Sequence, residues 1–213
     1  TCLSPASALI GELKSSGISV ILVDPETTLP FPTVEVDRSG ATESMMNLLW
    51  TAGHRTFGFA GFDPDYAYSE KRLEGANRFL ERRDGERVWS IYEPGTVKHD
   101  FTYGSRLAAQ ILKQKSMPSA VLAVNDRVAI GLVSELSRKG IKVPENLAVV
   151  GHDNLEVSSF FEPTLTTVDQ NIRELMESVS TGLLEWIEEG QIPPRRVILP
   201  TELQVRQSHK RHP

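Results

Sequence analysis

The chain has 213 residues, 39% of them hydrophobic and 24% charged, enough to bury a core as one large domain or two small ones and unlike a disordered segment. Its 28 Asp and Glu outnumber its 23 Lys and Arg, which argues against direct contact with nucleic acid or an anionic membrane. A single cysteine, Cys2, excludes an internal disulfide and suits a reducing cytoplasm, and neither a membrane-length apolar run nor a secretory signal is visible.

In chain order, "SPASALIGELKSSG" reads as a helix with Ser4 as N-cap, Pro5 in the first turn and Gly17 at the left-handed exit. "ISVILVD" follows as a strand without a polar face, so both its sides are expected to be covered. A helix in "GATESMMNLLWTAG" closes at Gly53 and gives way to the strand "TFGFAGF". "SEKRLEGANRFLERR" is a helix capped by Ser69, with Leu73, Ala76 and Leu80 on one face. Strand "RVWSIYE", helix "TYGSRLAAQILKQ" and strand "SAVLAVN" come next. "DRVAIGLVSELSRKG" is a helix capped by Asp126, its apolar stripe Ala129, Leu132, Val133 and Leu136. "NLAVVGHD" and "TLTTVDQ" are strands, and a long helix runs from Asn171 to Glu189. Two short β segments, "RRVILP" and "TELQVRQS", precede "HKRHP", read as a solvated tail. Strands alternating with amphipathic helices give an α/β fold of right-handed βαβ units on an open parallel sheet.

Ligands of such sheets bind beyond the carboxyl ends of the strands. Asp24, Asp63, Glu93, Asn125 and Asp153 all fall there. Asp126 is best read as a helix cap, whereas "LEVSSFFEP" after Asp153 is too irregular for a helix that Asp153 would cap. His152 and Asp153 are neighbours on a strand end, so their side chains should diverge. No HExxH motif or cysteine pair is present, the other histidines are scattered, and no metal or cofactor is expected. The G-x-S-x-G elbow, the P-loop and the G-x-G-x-x-G fingerprint are absent too, so an enzyme is not expected. Carboxylates, amides and a guanidinium suit a polyhydroxyl or heterocyclic ligand. Arg72, in the first turn of its helix, is near enough to reach the strand ends, although by itself it reads as a surface arginine.

"AGHRTFGFAGF", "RLEGANRFL", "AVNDRVAIG", "VPENLAVVGHDN", "PTLTTVDQ" and "LPTELQVRQS" occur in the order and spacing of the LacI/GalR transcription regulators. The chain resembles that family from about its first helix to Ser208. The resemblance implies a type I periplasmic-binding-protein-like fold: two flavodoxin-like subdomains joined by three crossovers, with an effector held between them. Residues 1–36 and 169–195 would form a partial N-terminal subdomain, and 37–168 with 196–208 a complete C-terminal one of five parallel strands. The family's helix-turn-helix and the first strands of its N-terminal subdomain have no counterpart in this sequence, which accounts for the acidic balance. Carried over residue by residue, Asp153, Asn125 and Arg72 match effector-contacting positions, with Asp24, Phe101 and Gln170 as further contacts. His152 stands where an aromatic residue is usual. Ala129, Ile130, Phe160 and Phe161 would lie at a homodimer interface.

The implied function is that of the effector-sensing domain of a cytoplasmic regulator. It would bind a sugar or related metabolite and reach operator DNA only through the absent helix-turn-helix, with no membrane partner. A periplasmic sugar-binding protein is the nearest rival, and a sugar-phosphate enzyme on a doubly wound sheet a weaker one.

Overall fold

The computed structural model describes residues 7–25, 29–96 and 98–210, with the backbone alone for Ser7, Ala8 and Val88. The elements are α1 (Ser7–Ser15), β1 (Leu22–Val23), β2 (Thr33–Val36), α2 (Arg38–Thr51), β3 (Thr56–Ala60), α3 (Ala67–Glu81), β4 (Glu86–Ile91) and α4 (Phe101–Ile111). There follow β5 (Ala120–Ala123), α5 (Asp126–Arg138), β6 (Ala148–Val150), α6 (Val157–Phe160), β7 (Thr167–Asp169), α7 (Ile172–Glu189), β8 (Arg196–Leu199) and β9 (Glu202–Gln204). The chain divides into two compact units, a smaller one of residues 1–37 and 171–200 and a larger one of 38–170 and 201–213.

The larger unit carries a parallel sheet in the order β4-β3-β5-β6. Every residue of β5 and β6 is buried, as expected of strands covered on both faces. Phe57, Phe59, Tyr103, Leu107, Leu132 and Leu136 are among the fully buried side chains of one continuous core. α4 packs on α5 with backbones in contact: a Cβ at Gly104 would run into the Val128 carbonyl, and one at Gly131 into the Phe101 carbonyl. Of five expected parallel strands, four form the ladder. The fifth, β7, joins β6 through Gly151 N to Thr166 O and Asp153 N to Val168 O, both 2.9 Å, and pairs antiparallel with β9. The left-handed backbone at Asp153 and Asn154 turns the chain out of β6 before a regular ladder can extend.

The smaller unit holds the parallel sheet β1-β2-β8, with α7 packed on β2. Its core is small: Val34, Val36 and Leu175 are buried, with Ile21, Val179, Val197 and Leu199 packed around them.

Several expectations need correction. The "ISVILVD" strand shrinks to two residues at a sheet edge, with Val23 exposed and Ile18 at 61% exposure, because only β2 pairs with it. β2 itself, "TVEV", alternates polar and apolar residues but is only four residues long, and it is buried along its whole length, with Glu35 paired to Arg196. Arg196–Leu199 pairs with β2 along its whole length, so it sits in the smaller unit and the last crossing falls between Pro200 and Thr201. Ser69 does not cap α3; the helix starts earlier and Ser69 is buried inside it. Asn125 rather than Asp126 caps α5, accepting from Val128 N at 2.9 Å. "LEVSSFFEP" contains the short helix α6. His209 is buried and approaches Thr166 Oγ1 at 3.0 Å, so the tail is not solvated from its start. Ser4 and Pro5 lie outside the described residues.

The proposed interface residues divide. Ala129 is fully buried and Ile130 nearly so inside the unit's own core, which leaves Ala129 no atom to offer another chain. Phe160 is 80% exposed, whereas Phe161 packs partly against the core.

Candidate functional site

An open-sided cavity of about 660 Å³ lies at the carboxyl ends of the larger unit's strands, and all its walls come from that unit. Four of the expected contacts line it: Arg72, Asn125, Asp153 and Gln170. Each is placed by a different element. Asn125 follows β5 and caps α5, Asp153 follows β6, and Gln170 follows β7. Arg72 sits on the buried face of α3 with Ala76 and Phe79, only 4% exposed, so it is not a surface arginine.

The polar groups hold one another. Arg72 donates to Val124 O at 2.5 Å, and a second guanidinium nitrogen lies 3.1 Å from His152 Nδ1. His152 Nδ1 lies 3.1 Å from Asp153 Oδ1, and Gln170 Nε2 donates to the same oxygen at 2.5 Å. The expected divergence of His152 and Asp153 fails because Asp153 takes φ +110, outside the extended region that would point neighbours to opposite faces. A non-glycine residue in that region is strained, and such strain collects where function fixes geometry. Here Asp153 N to Val168 O and the Gln170 contact hold it.

Burial, with the Arg72 charge second, lowers the His152 pKa to about 3, so the ring is neutral at pH 7. One proton then serves Nδ1 or Nε2. With the proton on Nδ1 the ring donates to the Asp153 carboxylate and leaves Nε2 as an unpartnered acceptor, but that proton faces an Arg72 N–H. With the proton on Nε2, Nδ1 accepts from Arg72, whose guanidinium can only donate. Burial pushes the Asp153 carboxyl up, but the His152 hydrogen bond, the Arg72 charge and the Gln170 hydrogen bond outweigh it and leave the pKa below the ordinary value. Asp153 is thus a preformed anionic acceptor beside a neutral ring.

The other strand-end carboxylates do structural work. Asp63 accepts from Asp65 N at 3.1 Å and Gly95 N at 3.0 Å, and Glu93 pairs with Arg106 at 2.8 Å. Asp126 is fully buried and accepts from Leu155 N at 2.8 Å, Ser158 Oγ at 2.6 Å and Thr167 Oγ1 at 2.5 Å, tying α5 to α6 and β7. Burial raises its pKa to about 6 despite those bonds. Asp24 lies in the smaller unit at φ +44, its carboxylate 3.4 Å from Val36 N. Phe101, expected as the aromatic wall, does not line the cavity and is 43% exposed. Tyr68 and His99 line it instead, joined by Tyr68 Oη to His99 Nδ1 at 3.2 Å. Sequence reasoning missed both; two tyrosines in "FDPDYAYSE", just beyond a strand end, were the available signal.

Among the described residues no group of three His, Cys, Asp or Glu side chains is placed to hold a metal. No helix among them is long and apolar enough to cross a membrane. The arrangement offers hydrogen bonds of both senses.

Residues 46–209 match the family of periplasmic binding protein-like domains. Over 211 residues the chain is 30% identical to the HTH-type transcriptional repressor CytR of Escherichia coli (strain K12), covering 98% of this chain and 61% of that protein. It therefore spans less than two thirds of that relative's length. A LacI family transcriptional regulator from Enterococcus faecium, solved with bound ribose, superposes with a TM-score of 0.86 at 22% identity, over 99% of this chain and 78% of that one. A dimeric Lac repressor with an 11-residue C-terminal deletion superposes with a TM-score of 0.84 at 23% identity, over 96% and 73%.

Proposed function

This chain belongs to the family of periplasmic binding protein-like domains, as the LacI/GalR resemblance implied, and from that premise we propose that it is the effector-sensing part of a cytoplasmic transcriptional regulator. The effector is a small hydroxylated metabolite, a sugar or a close relative of one. The observation that carries this reading is the meeting of Asp153, Asn125, Arg72 and Gln170, from four separate elements, on one cavity. Asp153 accepts hydroxyl protons, Asn125 and Gln170 both donate and accept, and Arg72 braces the strand ends behind them. Ribose, which the Enterococcus faecium relative holds, is of the same class.

Effector binding alters transcription by favouring one of two conformations of the intact protein, by as much as its affinities for them differ. Operator contact belongs to a helix-turn-helix outside this sequence, and dimerisation places two such modules on DNA. Phe160 is the apolar side chain best placed for a second copy.

The test is Asp153→Ala in the intact regulator. Losing a charged hydrogen bond should weaken effector by roughly 1.5–3 kcal/mol, about 10- to 150-fold, with operator affinity unchanged. Titration calorimetry gives the first quantity and operator gel shifts without effector the second. Unchanged effector affinity would remove Asp153 from the site.

A further inference from the structure

Resting on the effector reading above, we propose that the guest of this cavity is an anion, a hydroxylated carbon frame bearing a phosphate monoester or a carboxylate, with the anionic group taken by Lys98 and Arg127. The chain carries a formal charge of −5, so a local excess of cations is informative. Arg38, Arg72, Lys98 and Arg127 line the cavity, and only Asp100 and Asp153 oppose them.

Both carboxylates are already engaged. Asp100 accepts from Tyr103 N at 2.9 Å as the cap of α4, and Asp153 holds Gln170 and His152. The side chains of Lys98 and Arg127 are exposed and have neither an ion pair nor a hydrogen bond among the described residues. Four cations against two carboxylates leave the cavity with a net positive charge, and two long cationic side chains without a direct partner are what a phosphate or carboxylate binding site presents before it is filled.

The helices reinforce them. Asp100 and Asn125 cap α4 and α5, and both line the cavity, so the positive ends of two helices of 11 and 13 residues open onto it. A neutral sugar would use Asp153, Asn125 and Gln170 and leave Lys98 and Arg127 without a role. An anionic sugar uses both sets, and its charge fixes which end of the frame faces Asp153.

Amide NMR spectra of the 213-residue chain test this with four probes: ribose, ribose 5-phosphate, ribonate and inorganic phosphate. The expected result is saturable shifts at the amides of 98–102 and 125–128. Half-saturation by ribose 5-phosphate or ribonate should come at a concentration about tenfold or more below that for ribose. Whichever of the two binds tighter distinguishes phosphate from carboxylate. Lys98→Gln with Arg127→Gln should bring both close to ribose, and added salt should do so in part. Since both side chains are exposed, the unperturbed remainder of the spectrum verifies the fold.

Ribose binding as tightly as its anionic relatives would overturn the charge preference while leaving the effector reading intact. An anion response that survives the double substitution means an adventitious ion only and overturns it as well. No response to any of the four overturns the inference too, and the effector reading is then judged by the Asp153 experiment.

Discussion

α5 and α7 look alike as sequences and differ as structures. Both are amphipathic helices after a strand, yet α5 buries eight of its 13 residues, and α7 buries Leu175 alone of its 18. α5 lies against α4 in the larger unit's core, with glycines allowing backbone contact. α7 meets a sheet of three short strands, and Ile172, Met176, Leu184 and Ile187 remain exposed. An apolar stripe thus reports that a helix forms; how much of it is buried depends on the elements around it.

The contrast can be broken by substitution, and the largest effect is expected in α5. Leu132→Ala, at a fully buried position, should cost about 2–5 kcal/mol in urea unfolding, while Ile187→Ala in α7, 63% exposed, should stay within about 0.5 kcal/mol. Equal costs would mean that the two helices are not packed as described.

Next comes Asp126, in the first turn of α5. Its carboxyl, at 3.8 in the unfolded chain and about 6 when folded, holds its proton more tightly in the folded state. Its contribution is therefore fully present below pH 4 and lost as pH rises through about 6, in total about 3 kcal/mol. Between pH 4 and 6 this loss opposes the gain from His152, whose buried ring stays neutral while its unfolded counterpart takes up a proton. Unfolding followed over that range should therefore show stability nearly flat in the parent and rising with pH in Asp126→Asn.

Glycine substitutions sharpen the comparison further. Gly131→Ala in α5 drives a methyl into the Phe101 carbonyl and should cost about 1–3 kcal/mol. Gly182→Ala in α7 meets Ile21 and Pro193 at ordinary distances of 3.5 and 3.6 Å and should gain about 0.5–1 kcal/mol from helix propensity. Opposite signs in thermal unfolding are the expected signature. Smallest is Phe160→Ser, within about 0.5 kcal/mol for unfolding, while a fall in sedimentation coefficient on the same substitution is what the proposed dimer contact requires.

Much of this was legible beforehand where one element dictates its own pattern. The alternation of "TFGFAGF", "AVLAVN" and "AVVGHD" with amphipathic helices reads directly as a parallel sheet, and strand-end position singles out Asn125 and Asp153. What depended on two distant segments did not read. Four-residue β2 is a strand only because β1 and β8 flank it. Arg72 is buried because Val124 O and His152 meet it, and no spacing within "RLEGANRFL" contains that. Asp126 resembled a cap because it opens a helix; its partners lie 29, 32 and 41 residues away. Tyr68 and His99 displaced Phe101 as aromatic wall for the same reason.

Asn125 is spoken for at both ends: its oxygen accepts from Val128 N at 2.9 Å, and its nitrogen donates to His99 O at 3.1 Å. A side chain clamped in this way has no rotamer freedom left to surrender when a guest arrives, so recognition there proceeds without an entropic toll. The same clamp makes the position unforgiving, because any replacement loosens the start of α5 and the His99 loop before it alters selectivity. Changing what the proposed site accepts is therefore better attempted from the rim inward.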